Sequence, residues 1–333
     1  MNVKIFMATA NSAQERDTLR DFGQGVETWL KEYRPEPDGP ESQVRIGRWT
    51  DLNRPKHSVE YDYSEGYQPC DFAVMYGSWK PREKGHHVVR NSIASSAKHF
   101  ICIETPLLNR RTDVQNQYHR VGINGFLNQS AYWPVLDRDH AQQQLKELNI
   151  KWAGWKNNTD GHVLVALQLP GDASLRGADI NEWALKTVKT IRSTTTRPIV
   201  IRSHPLISDR GFESLAPLVV QLMKDNVPNI TFSDGATTSW GNDLSGAYCT
   251  VTYTSGMAID SVLAGIPTVA CDAGNFAWSI STHHLDEINS IQQADAKTIN
   301  DWLAQLAMCQ WNAQQMRSGL AWQHLMSTLE TMT

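Results

Sequence analysis

The chain has 333 residues, 41% of them hydrophobic and 20% charged, with a net charge of −4 and a pI near 6.3. That length suits two domains of ordinary size, each able to bury its own core. There is no run of about 18 apolar residues for a membrane span, and the acidic balance argues against a protein that coats nucleic acid over its whole surface. The five cysteines (Cys70, Cys102, Cys249, Cys271, Cys309) are scattered, and several sit in apolar strands. They read as reduced, buried thiols, and no Cys/His pair has zinc-site spacing. The start, MNVKIF, enters a strand at once and lacks a basic segment followed by an apolar one, so no secretory signal is read and the cytoplasm is the expected location.

In chain order, Val3–Ala8 reads as a strand and Ala13–Glu32 as an amphipathic helix. A Pro/Gly/Glu loop leads to a short strand at Val44–Trp49, and Asn53–Pro69 is polar and irregular. Asp71–Tyr76 is a buried strand, His87–Lys98 a helix and His99–Glu104 a second buried strand. Thr105–Trp133 shows no periodicity, and loops of that length in compact domains are usually functional. Asp137–Leu148 is a helix with Asp137 and Asp139 as N-terminal capping residues. Lys151–Gly161, with its Asn, Gly and two Trp, is the linker candidate.

The second half repeats the rhythm. Strands are predicted at His162–Leu169, Pro198–Arg202, Ile230–Ser233, Tyr248–Tyr253 and Thr268–Cys271. Helices are predicted at Asp179–Ser193, Phe212–Asp225, from Gly256, at Ala294–Met308 and at Asn312–Glu330. Alternation of this kind implies parallel βαβ units. The expected fold class is α/β, as two Rossmann-like doubly wound domains, 1–150 and 151–310, facing a cleft. Residues 311–333 form a C-terminal helix that crosses back to the first domain.

The most telling stretch is Tyr248–Asp272. A strand ends in Thr254-Ser255-Gly256, a helix follows with Asp260 about one turn in, and Gly265-Ile-Pro267 opens the next strand. A helix start offers amides and the positive end of a dipole to a phosphate. A carboxylate one turn on suits ribose hydroxyls, so the pair fits a ribose-diphosphate ligand. An ordinary βαβ unit is the plainer reading. Upstream, Arg202-Ser-His204-Pro205 ends a strand with a guanidinium suited to phosphate oxygens and a second donor at His204. Trp240, after SDGATTS, either stacks on a base or anchors its loop to the core. Gly274–Trp278 follows the last core strand and is placed along the sugar pocket. A Walker motif and a Ser nucleophile elbow are absent, and the one Gly-x-Gly (Gly23, Gly25) lies inside a helix.

Asp260-Ser-Val-Leu-Ala-Gly265-Ile-Pro267-Thr-Val-Ala resembles the acidic-x4-Gly-x-Pro signature of the C-terminal domain of GT-B glycosyltransferases, with Asp where Glu is commoner. Arg202-Ser-His204-Pro205 resembles their basic-x-His-Pro element, with Arg where Lys is frequent. The resemblance implies a metal-independent transferase whose second domain binds a nucleotide-sugar, UDP-linked. In it Arg202, His204, Thr254, Ser255 and Gly256 hold the diphosphate, Asp260 the ribose, and the segment of Trp240 the base. The first domain would then hold the acceptor. Its hydroxyl needs a base, for which Glu104 and then Asp113 are the candidates. A strand-end acid paired to Arg110 or Arg111 is the alternative for Glu104.

The segment Ile103-Glu104…Arg110-Arg111…His119-Arg120-Val-Gly122-Ile-Asn124-Gly125 resembles phage-encoded glycosyltransferases that modify hydroxymethylated DNA bases. It implies 5-hydroxymethyl-pyrimidine in DNA as acceptor, the host cytoplasm as location, and Arg110, Arg111, His119, Arg120 and Asn124 as acceptor-binding residues. Residues 80–124 carry eight Lys/Arg against three acids, a local charge of +5, which either contacts phosphates or is a solvated face. A saccharide or lipid-linked acceptor, and a non-catalytic nucleotide-sugar- or polyanion-binding protein, are the other readings. No metal, membrane or obligate protein partner is expected.

Overall fold

The structure is a computed structural model and describes residues 1–32, 57–80, 85–110, 117–207 and 215–331. The strand predicted at Val44–Trp49 and the site candidates Arg111 and Asp113 lie outside the described residues. The chain divides into two compact units, one of residues 1–126, 130–148 and 304–333, the other of 127–129 and 149–303.

The first unit is built on strands β1 (Asn2–Phe6), β2 (Ser58–Asp62), β3 (Phe72–Tyr76), β4 (Phe100–Glu104), β5 (Tyr118–Ile123) and β11 (Gln310–Asn312). They lie in the order β11-β5-β4-β3-β1-β2. β2, β1, β3 and β4 are parallel, β5 runs antiparallel to β4, and β11 antiparallel to β5. All five residues of β3, FAVMY, are buried, as expected of a strand covered on both faces. Helix α1 (Ala13–Glu32) opens on two side-chain to backbone hydrogen bonds. Ser12 Oγ accepts the Glu15 amide at 3.2 Å and the Glu15 carboxylate accepts the Asn11 amide. α1 carries Gly25 where it meets helix α9 (Ala313–Arg317); a Cβ there would lie 1.8 Å from the Met316 carbonyl oxygen. The helix predicted over Asn312–Glu330 is two helices, α9 and α10 (Leu320–Thr331), because Gly319 sits at φ +83° between them.

The second unit contains β6 (His162–Ala166), β7 (Ile199–Arg202), β8 (Ile230–Ser233), β9 (Ala247–Thr252) and β10 (Thr268–Ala270). All pair in parallel, in the order β10-β9-β6-β7-β8. The chain runs outward from β6 to β8, then returns to the other side of β6 for β9 and β10, so the order reverses between β6 and β9. Crevices outside the carboxyl ends of strands at such a reversal are where doubly wound sheets bind ligands. α4 (Ile180–Thr194), capped by Asp179, buries Ile180, Ala184, Val188 and Ile191 at helical spacing against Val163, Val165 and Ile199. Each of the larger side chains, Ile180, Val188 and Ile191, contributes about 1.5–3 kcal/mol on burial.

Among the described residues the fold is therefore mixed α/β with largely parallel sheets, the class expected. Three strands differ from the sequence expectation. β2 lies in a segment read as irregular, β5 in a stretch read as aperiodic, and β11 between two predicted helices. No helix among the described residues is long and apolar enough to cross a membrane.

Candidate functional site

At the reversal of the second sheet, two loops meet through a buried glutamine. Gln168 follows β6 and Thr254 follows β9. Gln168 Oε1 accepts the Thr254 amide at 2.9 Å, and Gln168 Nε2 donates to Thr254 Oγ1 at 3.0 Å and to Ser174 Oγ at 2.5 Å. Ser174 in turn donates through its amide and its hydroxyl to Asp172, at 2.9 and 2.6 Å. Thr254 and Gln168 are buried, while Ser255, Gly256 and Asp260 are half-buried beside them. Helix α7 (Met257–Leu263) begins there with Asp260 in its first turn. Its opening amides are already engaged: Met257 on Ser255 Oγ at 3.2 Å, Ala258 on the Ser255 carbonyl at 3.1 Å and Ile259 on the Gly256 carbonyl at 3.0 Å. Thr254 is likewise tied to Gln168, so this turn is a supported framework more than the open anion cradle expected from the sequence.

Arg202 is corrected more sharply. It ends β7, is 5% exposed, and forms an ion pair with Asp243 of α6 (Trp240–Leu244). Its second nitrogen donates to the Thr238 and Gly235 carbonyls at 2.9 and 3.4 Å. The fork read as a phosphate ligand is thus engaged inside the protein, where it holds the 234–239 loop. Within this loop position 235 takes glycine because a Cβ there would lie 2.1 Å from the Ser203 carbonyl oxygen. His204 is half-buried, and its Nδ1 accepts the Leu206 amide at 3.1 Å. Trp240 is partly buried and packs on the cluster that contains Leu164, Leu244 and Ile266. Asn275 donates to Thr252 Oγ1 at 2.8 Å and to the Tyr253 carbonyl at 3.1 Å, so the Gly274–Trp278 segment is bound into the sheet end.

A further charged pair joins two of the loops at this end of the sheet. Arg176 and Asp272, from the loops after β6 and β10, form an ion pair through both carboxylate oxygens. The Asp272 carboxylate also accepts the Gly274 amide at 2.7 Å.

In the first unit, the carboxyl ends of β1, β3 and β4 and the start of β5 carry a buried polar cluster. Glu104 Oε1 accepts the Ser78 amide at 2.7 Å, and Oε2 accepts the Thr105 amide at 3.0 Å and pairs with Arg120 at 3.5 Å. Burial pushes this carboxyl up, but Arg120 and the two amides outweigh burial and hold it below the usual carboxylate range. It therefore stays ionised with low proton affinity, a weak start for a general base. Arg90 donates to the Thr9 carbonyl at 2.7 and 3.0 Å and lies 3.9 Å from Glu15.

His119 is buried, with Nδ1 3.3 Å from the Tyr76 hydroxyl and Nε2 3.2 Å from Thr18 Oγ1. Asn124 is left-handed at φ +58° and its side chain accepts the Phe100 amide at 2.9 Å, a turn residue. His119, Arg120 and Asn124 therefore face partners within the unit, against the acceptor-binding roles expected of them, while Arg110 is exposed. We expect Glu104→Gln to lower unfolding stability by about 2 kcal/mol, since a neutral amide leaves Arg120 without its carboxylate. Urea unfolding checks this, with nucleotide affinity unchanged; a variant of full stability and no turnover would restore Glu104 as the base.

Gln168, Asp172, Ser174, Arg176, Asp243, Asp272, Arg90, Glu15 and Tyr76 were not singled out from sequence. One signal was available for the first four: they follow the first strand of their unit, the position that flanks a reversal of strand order. Among the described residues no group of three or more His, Cys, Asp or Glu side chains gathers as a metal site would.

No family model matches the chain, and no curated protein matches it. Solved structures do align. KpsC beta Kdo 2,4 transferase of Thermosulfurimonas dismutans is 13% identical over 93% of this chain and 90% of its own, with a TM-score of 0.47. The KpsC beta Kdo 2,7 transferase of the same organism is 12% identical over 79% and 92%, TM-score 0.44. Anabaena Alr3699/HepE in complex with UDP and glucose is 11% identical over 99% and 98%, TM-score 0.35.

Proposed function

We propose that the chain is a metal-independent glycosyltransferase that binds a nucleotide-sugar at the carboxyl end of the second sheet and moves the sugar to a saccharide hydroxyl. The observation that carries this reading is the Gln168–Thr254 pair at the β6/β9 reversal, with Asp260 half-buried about one turn beyond. A ligand in that crevice meets a fixed wall of hydrogen-bonding groups and a carboxylate suited to vicinal ribose hydroxyls. The GT-B resemblance of residues 260–270 supports the same place.

DNA as acceptor has less support. Of the basic residues between 80 and 124, Arg90 and Arg120 turn inward onto Thr9, Glu15 and Glu104. Phosphate contacts need outward charge, so a saccharide is favoured.

Titration with UDP and labelled-sugar transfer test the reading. Asp260→Ala is expected to weaken UDP about tenfold or more, the loss of one or two hydrogen bonds to a charged acceptor. Labelled UDP-sugar is expected to mark a glycan mixture and leave hydroxymethylated duplex unmarked, and EDTA to leave transfer unchanged. Label on the duplex would return the DNA reading. Nucleotide binding without transfer to either acceptor would leave a binding protein.

A further inference from the structure

With Arg202 buried on Asp243, the charge that meets a donor phosphate must come from elsewhere on the sheet edge. We propose that Arg176 is the anion-binding residue of the crevice, taking the phosphate oxygens of the nucleotide, and that Asp272 holds its guanidinium in place when the nucleotide is absent. This rests on the nucleotide-sugar reading above.

Four observations converge. Arg176 lies ten residues past β6, in the loop that carries Gln168 and Ser174, and Asp272 lies just past β10, so the pair bridges the loop on one side of the reversal to the loop two strands away on the other. The Arg176 side chain is 48% exposed while Asp272 is 15% exposed, so the guanidinium faces solvent from a recessed carboxylate. Its backbone is left-handed at φ +51°, a conformation that costs a non-glycine residue on the order of 1 kcal/mol. It is retained by the Arg176 amide on the Ala173 carbonyl at 3.1 Å, next to Gly177 at φ +90°. Finally, its present ligand is a two-oxygen anion. One guanidinium nitrogen, Nη2, donates to both Asp272 oxygens, and a guanidinium takes phosphate oxygens by the same charge-assisted N–H···O bonds, so a phosphate can replace Asp272 on the same side chain. When the sugar C–O bond to the phosphate breaks, its electron pair goes to the phosphate oxygen, the acceptor oxygen bonds the sugar carbon and the acceptor proton leaves to a base. Arg176 then faces the oxygen that gains charge, where a fixed donor contributes most.

The experiment is calorimetric titration of wild type, Arg176→Ala and Arg176→Lys with uridine, UDP, the mono- and diphosphates of the other bases, and inorganic pyrophosphate. A thermal midpoint is recorded for each variant as a folding control. We expect Arg176→Ala to weaken the tightest nucleotide ten- to hundredfold and to abolish pyrophosphate binding. Affinity for the bare nucleoside should be unchanged, Arg176→Lys should fall between, and the midpoints should barely move because an ion pair to a half-exposed guanidinium adds little stability and Asp272 keeps the Gly274 amide. Equal nucleotide affinity in wild type and Arg176→Ala overturns this inference and leaves the donor reading standing. A wild type that binds neither nucleoside nor nucleotide overturns both. A loss of affinity for the bare nucleoside equal to that for UDP assigns Arg176 a purely structural part and also overturns it.

Discussion

Asp243→Ala is expected to lower the stability of the second unit by roughly 3–5 kcal/mol, the cost of leaving a buried guanidinium without its counter-charge. Asp243 is 9% exposed and Arg202 5% exposed. The carboxylate accepts from Arg202 and from Ser233 Oγ at 2.7 and 2.9 Å, so one side chain closes the ends of β7 and β8 and the start of α6. Removing it leaves Arg202, among the described residues, the Thr238 and Gly235 carbonyls and no counter-charge. For a unit of this size each kcal/mol moves the melting point by about 2–4 °C, so calorimetry should show a drop of roughly 10 °C. The double variant Arg202→Met/Asp243→Ala should recover part of the loss, because no buried charge is then stranded. If Arg202 were instead a phosphate ligand, Asp243→Ala would free it and tighten nucleotide binding at unchanged stability. That outcome would reinstate the role read from the sequence.

The Arg202 case shows which part of this protein is legible in one dimension. β6, β7, β9 and their helices were readable because long apolar runs bounded by caps report their own conformation. Asp179 caps α4, and Asp137 caps α3 (Arg138–Glu147), by contacts two and three residues away. Arg202 was readable as a residue at a strand end, but its meaning depends on Asp243, forty-one residues on in sequence and brought near by a loop. The same holds for Glu104. Its register partner Arg120 belongs to β5, a strand with little apolar periodicity that exists because β4 and β11 flank it. β2, with sequence SVEYD, is the edge strand among the described residues and its burial is partial, so no hydrophobic alternation announced it. At the proposed donor site, Thr254 and Asp260 were visible as punctuation around a helix, whereas Gln168 was not. A glutamine after a strand carries no signal until the strand order is known.

Acid is expected to destabilise the first unit through His119, in a window set by its burial. The ring is buried between the Thr18 and Tyr76 hydroxyls. Burial lowers its pKa, the Glu104 charge raises it in part, and the balance leaves it pushed down to about 4. In the unfolded chain a histidine titrates near 6.5. The folded-state value is the lower one, so the unfolded state binds the proton first as pH falls. Stability is intact above about pH 6.5, declines below it, and has lost on the order of 3 kcal/mol by pH 4. Glu104 acts with the opposite charge type in a lower window. Its folded-state value is below the ordinary carboxylate range, so its contribution is held at neutral pH and lost only as pH falls through that depressed value. The two are separable by urea unfolding at pH 7 and pH 5, where histidine titrates and Glu104 does not. Wild type should lose stability between the two, and His119→Asn, although weaker at pH 7, should lose markedly less. A variant as acid-sensitive as wild type over that interval would place the proton uptake on another group and remove His119 as its origin.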